Sequence, residues 1–312
     1  MPQTFDVHPD MRPLIDELKE WPADLSPQQE REHWIEFCRA VARPRPSSIT
    51  AEDHRIPGRR GGGVAVRIYR PGNAATCPAV LYMHGGGWIL GNLDTNETVA
   101  WGLAEGSGCA VVSIDYRLSP EHPYPAAFND CQDVLVHLAL QGGRYGLDPR
   151  RMAVCGDSAG GNLSAALCLA ARDAGGPEIK AQALIYPVLG TDVDNGSYRD
   201  NAEAPMLKRS EMIHYLDAYL GSRRKNPDAY AMPLMATKLR DLPPALVHTA
   251  EYDPLRDEGK LYADRLKVAG NDVTYRCAER MVHSFIRARF HGPAAKAEFD
   301  IICEFLRRHL TV

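Results

Sequence analysis

"RMAVCGDSAGGNLSAALCLAA", Arg151 to Ala171, is the stretch on which the reading of the chain turns. A short apolar run from Met152 to Cys155 stops at Gly156-Asp157-Ser158-Ala159-Gly160-Gly161, and a helical apolar pattern starts directly after it. That order is strand, tight turn, helix. The Gly-x-Ser-x-Gly spacing suits a strained turn that projects the Ser158 hydroxyl beyond the end of the strand. The helix behind it offers amide N–H groups and a dipole to a developing negative charge. Two plainer readings compete: Ser158 as a simple helix cap, or the glycines as a phosphate loop. The second lacks the Lys-Ser or Lys-Thr that such a loop requires after its glycines.

The same rhythm extends outward. "PAVLYMHG", "CAVVSIDYR", "AQALIYPVL", "PALVHTAEYD" and "DVTYRCAE" read as further strands. Helices are expected between them near 96–106, 126–141, 161–173, 256–269 and 293–309. Such alternation predicts βαβ units, hence an α/β fold whose parallel sheet is covered on both faces. Ahead of it, "MRPLIDELKE" and "SPQQEREHWIEFCRAVA" space their apolar residues as helices do, with Ser26-Pro27 as a cap and first-turn proline. A hairpin is expected in "SSITAEDHRIPGRRGGGVAVRIYRP", turning at Gly58 and Gly61 to Gly63. The polar stretch 191–230 interrupts the rhythm and reads as a lid or cap insertion.

Composition removes several classes of function. A net charge of −4 argues against a general nucleic-acid surface. Eight cysteines, with no C-x-x-C pair, read as reduced thiols rather than a disulfide framework or a zinc site. No basic-then-apolar leader opens the chain, and no apolar run reaches the roughly 18 residues of a membrane span. The expectation is a soluble, cytoplasmic protein with no membrane partner.

A second glycine motif, "LYMHGGGWILG", follows another strand candidate. Its bare backbone at Gly85, Gly86 and Gly87 can turn N–H groups toward a neighbouring site, and with the Ala159 N–H would make an oxyanion hole. His84 is expected to orient this loop. His8, His33 and His309 read as surface or satisfied core residues.

Together "HGGGW", "YRLSPEHPYPAA", "GDSAGGN", "YDPLRDEG" and "MVHSF", in that order, resemble the hormone-sensitive-lipase-like esterases of the α/β-hydrolase superfamily. The resemblance covers nearly all of the chain beyond residue ~45. It implies a mostly parallel, eight-stranded sheet flanked by helices. Residues 1–45 would form the N-terminal part of a helical cap, and 46–312 a catalytic domain with a cap insertion at about 190–230. Two departures stand out: His283-Ser284-Phe285 where the family usually has His-Gly-Phe, and Ser119 where alanine is common.

A serine hydroxyl needs a base to take its proton and a third group to orient that base. The acid is Asp253 or Asp257. Asp253 directly follows a strand and is also selected by the resemblance, whereas Asp257 falls in the following helix, where it would pair with Arg256. The base is His283 or His291; His283 lies in the loop after the last strand candidate and is preferred. Tyr116, Arg117 and Glu121 read as supports of the site. Trp88, beside the glycine loop, is expected to line the acyl pocket, with Met206 and Leu207 from the insertion. The resulting expectation is a serine carboxylesterase acting on small-molecule esters with short to medium acyl chains, without metal or organic cofactor. A lactonase, amidase or arylformamidase could use the same three residues. A non-catalytic small-molecule receptor is the alternative from another class, and the presence of His283 speaks against it. The resemblance also allows a homodimer through the sheet edge near the last strand.

Overall fold

The computed structural model describes residues 4–18, 22, 24–58, 61–72, 74–194 and 196–311. Its strands are β1 (Ile49–Pro57), β2 (Gly63–Pro71), β3 (Cys77–Met83), β4 (Ala110–Asp115), β5 (Leu147–Asp157), β6 (Gln182–Ile185), β7 (Ala245–Tyr252) and β8 (Val273–Val282). They form one sheet in the order β1-β2-β4-β3-β5-β6-β7-β8. Only the hairpin departs from parallel: β2 runs antiparallel to both β1 and β4.

The central strands are short Val-, Leu- and Ala-rich runs because both of their faces are covered. On β3, Leu81 and Met83 enter one core while Val80 and Tyr82 enter the other, the period of two that a pleated strand imposes. The first core is closed by α4 (Ala126–Gln141), α5 (Ala159–Asp173) and α8 (Arg256–Val268). The second is closed by α3 (Glu97–Ser107) and α9 (Pro293–Leu310). Every residue of α5 from Ala159 to Ala171 is buried, so this helix is apolar nearly all round. It begins two residues earlier than its periodicity predicts, because the glycines after Ser158 are already helical.

The N-terminal helices α1 (Arg12–Glu17) and α2 (Pro27–Val41) form as the pattern predicts, and Ser26 closes a capping box with Gln29. They divide between two places. Val7, Met11 and Leu14 enter the core beside α9, whereas Trp34 of α2 reaches the carboxyl edge of the sheet. Between β6 and β7 the chain makes α6 (Gly196–Asp200) and α7 (Arg209–Leu220). The His214 ring of α7 meets Glu30 of α2 at 3.0 Å, so the two segments touch above that edge. The later part of this connection returns to the body: Arg265 of α8 bonds the Leu234 and Ala236 carbonyls, and Asn162 bonds Ala231.

All eight cysteines are unpaired. Among the described residues no helix is long and apolar enough to cross a membrane.

Candidate active site

Ser158 sits at the junction of β5 and α5 with φ 55° and ψ −117°, a region that costs a non-glycine residue of order 1–3 kcal/mol. Its neighbours hold it there. Its N–H donates to Ile185 O at 2.9 Å, and its carbonyl accepts from Asn162 N and Val188 N. The turn closes only because Gly160 has no side chain: a Cβ there would overlap the Met83 carbonyl. The hydroxyl makes no capping bond to α5. Ser158 is therefore not a simple helix cap, and its oxygen faces a cavity.

His283, beyond the end of β8, lines the same cavity, and Asp253, beyond the end of β7, is buried against it. His283 Nδ1 lies 2.7 Å from Asp253 Oδ2, and Asp253, fully buried, takes the Leu255 amide on its other oxygen at 2.9 Å. Asn201, just beyond α6, fixes the acid's backbone by donating to the Glu251 and Asp253 carbonyls. The Tyr186 ring packs 4.4 Å from the imidazole. With Nδ1 engaged by the carboxylate, Nε2 is the nitrogen left for chemistry, and it has no partner among the described residues. Ser158 and His283 line the cavity together. The rival positions fall elsewhere: Asp257 pairs with Arg256 and takes the Ser197 amide, and His291 lies outside the cavity lining. Ser284 takes φ 66°, the left-handed conformation in which glycine would be unstrained.

The glycine loop requires one correction. The Gly85 amide is engaged at 3.0 Å by Asp157 Oδ1, so it is not a free donor. The same oxygen accepts the Tyr82 hydroxyl at 2.6 Å, and burial keeps that phenol protonated. Gly86 and Gly87, at φ 122° and 58°, and Ala159 keep amides without an acceptor among the described residues. These three amides are the ones the loop and α5 leave unengaged. His84 supports the loop: its ring stacks on Tyr116 at 4.3 Å, its Nδ1 meets the Gly85 carbonyl, and Tyr116 donates to the His84 carbonyl at 2.6 Å. Burial lowers the His84 pKa to about 4, which suits a neutral structural group and not a base working at neutral pH.

Trp88 requires a second correction. It does not line the cavity; it is fully buried and stacked on Tyr219 with ring centroids 4.0 Å apart. Positive φ at Trp88 (60°) accompanies this turn of the chain into the core. The indole at the site is Trp34, joined by Leu90, Met206, Leu207 and Tyr215 around a cavity of about 40 Å³. A larger groove of about 550 Å³ between α8 and residues 237–241 includes none of the residues described above at the site. Among the described residues no group of three or more His, Cys, Asp or Glu is arranged to hold a metal.

Asp157, Trp34 and Tyr215 were not singled out by sequence reasoning. Asp157 left a signal, an acid beside the serine at a strand end. Trp34 and Tyr215 left none, since each comes from a helix far away in the chain.

The sequence profile of a family described as alpha/beta hydrolase fold matches residues 80–287. The chain is 42% identical to carboxylesterase NlhH of Mycobacterium tuberculosis over 236 residues, 74% of each protein. It is 30% identical to an ethyl acetate hydrolase of Pseudomonas putida over 292 residues, 92% of this chain and 91% of that protein. Among solved structures, a thermostable esterase from Pseudomonas putida ECU1011 superposes with a TM-score of 0.94 at 32% identity, covering 100% of both chains.

Proposed function

The chain belongs to the alpha/beta hydrolase fold family, in its hormone-sensitive-lipase-like branch, and is a carboxylic ester hydrolase; from that premise we propose that Ser158, His283 and Asp253 cleave the ester. Ser158 Oγ attacks the acyl carbonyl as His283 Nε2 takes its proton. Asp253 holds the imidazole by Nδ1 and stabilises the cation that forms. The amides of Gly86, Gly87 and Ala159 meet the tetrahedral oxyanion. His283 returns the proton to the leaving alcohol. Water, activated by the same imidazole, then attacks the acyl-serine and releases the acid, regenerating the hydroxyl.

The 2.7 Å bond between His283 and Asp253, beside a strained serine that caps nothing, carries this reading. In sites without substrate, the bond from nucleophile to base is often long and tightens on binding. Ser158→Ala should lower kcat by roughly 10⁶-fold, the scale seen when a serine nucleophile is removed, with an unchanged circular dichroism spectrum. Hydrolysis at the parental rate in that variant would refute the assignment.

The substrates are small esters with short to medium acyl chains. The cavity beside Ser158 is small, and one relative is named for ethyl acetate. Within the expected cap segments 1–45 and about 190–230, it is α2 and the 190–230 insertion that cover the site, contributing Trp34, Met206, Leu207 and Tyr215 to the lining, whereas Val7, Met11 and Leu14 belong to the core beside α9. Rates on aryl esters from acetate to octanoate, measured beside a lactone and an anilide, test both acyl length and leaving group. Anilide or lactone turnover exceeding every ester would displace the esterase reading.

A further inference from the structure

Two rings of α7 grip consecutive residues of the glycine loop. The Tyr215 ring occupies the space above Gly87 so closely that a Cβ built there would fall on the ring carbons. Four residues on, Tyr219 lies parallel to Trp88, the planes 1° apart. Spacing of i and i+4 places both rings on one side of the helix, one turn apart. The loop's own turn, in which the Ile89 and Leu90 amides donate to the Gly86 carbonyl, secures Gly86, but Gly87, at φ 58°, is a glycine that leaves such a conformation readily. What holds the direction of the Gly87 amide beyond that turn is the ring packed against it.

We propose that Tyr215 is a positioning residue for the oxyanion hole, so that seating α7 over the site and orienting the Gly87 amide are one event, the Gly86 amide being set by the loop's own turn. This rests on the reading of those amides as oxyanion donors. The helix that carries the ring is itself fastened at two points. His214 meets Glu30 of α2, and the Tyr219 carbonyl accepts the Tyr124 amide at 2.9 Å. With α7 displaced, Gly87 loses the ring above it and is free to rotate; with α7 seated, it is not.

The test compares an aryl acetate with its thionoacetate analogue in the parent, Tyr215→Ala, Tyr215→Leu and Tyr215→Phe. Active sites are titrated by a fluorophosphonate so that only folded, competent protein is counted. Negative charge developing on sulfur accepts hydrogen bonds poorly, so the oxo-to-thiono rate ratio reports the oxyanion donors. Losing one such donor costs on the order of 10²–10³ in rate, and misaiming one should cost about 10- to 100-fold. Tyr215→Ala and Tyr215→Leu are expected to lower oxoester kcat by that factor with little change in KM, and to lower the ratio in proportion. Tyr215→Phe, which keeps the ring, restores the ratio. Equal losses on both substrates, or an unchanged ratio, would overturn the proposal while leaving the oxyanion assignment intact. A parent enzyme with no preference for the oxoester would overturn that assignment, and the role of Tyr215 with it.

Discussion

At Asp157 one carboxylate oxygen joins the strand that carries Ser158 to the loop that faces it, accepting from both Tyr82 and Gly85. Alanine there would leave two buried donors without partners, at about 1–3 kcal/mol each. Asp157→Ala should therefore lose several kcal/mol in chemical denaturation and also lose kcat as Gly85 loosens. Asp157→Asn, which keeps an acceptor oxygen, should fall between it and the parent. An alanine variant as stable as the parent would remove Asp157 from this account. Trp88 teaches the opposite lesson about neighbours: adjacent to Gly87 in sequence, its ring points into the core. At Ser284 the imidazole next door remains bonded to its acid although the residue takes a conformation better suited to glycine.

Beyond its buried face at Phe37, Cys38 and Val41, helix α2 is tied to the loops of the site by one arginine. Arg31 donates from Nε to the Ile89 carbonyl, from Nη2 to the Ser119 carbonyl, and from both terminal nitrogens to Glu121. Its planar fork thus ties the helix bearing Trp34 to the glycine loop and to the loop after β4 at once. The ion pair itself is half in solvent, with Glu121 about 51% exposed, and contributes little. The two bonds from a charged donor to backbone carbonyls matter more, at about 1.5–3 kcal/mol each. Arg31→Lys cannot reproduce that geometry, so both it and Arg31→Ala should lower the melting temperature and kcat/KM, whereas Glu121→Gln should change them less. Equal melting curves for Arg31→Lys and the parent would show that the fork is not what seats α2. Helix α9 is held by a comparable long reach. Its N-cap is Gly292, and Asp10 supplies the missing acceptor to the Ala294 and Ala295 amides.

Across the molecule, a sheet buried on both faces encloses ionisable groups along with its apolar core. His84 is buried, stacked on Tyr116, with Asp157 and Arg287 acting on it from opposite signs. Burial lowers its pKa from 6.5 to about 4. Because the folded state holds the neutral ring more firmly than the unfolded chain does, its contribution is complete above pH 6.5. It is lost as the pH falls toward 4, when the unfolded chain binds the proton first. At 1.36 kcal/mol per unit, the loss amounts to about 3 kcal/mol. Urea unfolding of the parent and His84→Asn between pH 7 and 4 should show the parent's advantage shrinking across that interval. A constant gap would contradict the lowered pKa.

The chain alone determined the parallel sheet, the strained serine turn and the candidate residues at 158, 253 and 283. Each is announced locally, by a burial period, by glycines at a strand end, or by a polar residue where a strand stops. Local sequence did not distinguish which glycine amide is free, which tryptophan lines the cavity, or which helix packs on the loop. Those outcomes depend on groups far apart in the chain: Asp157 engages the amide of Gly85, α2 inserts Trp34, and α7 lays Tyr215 on Gly87. A contact between distant segments leaves no periodicity in either, so only the assembled fold decides which donors stay open and which rings line the cavity.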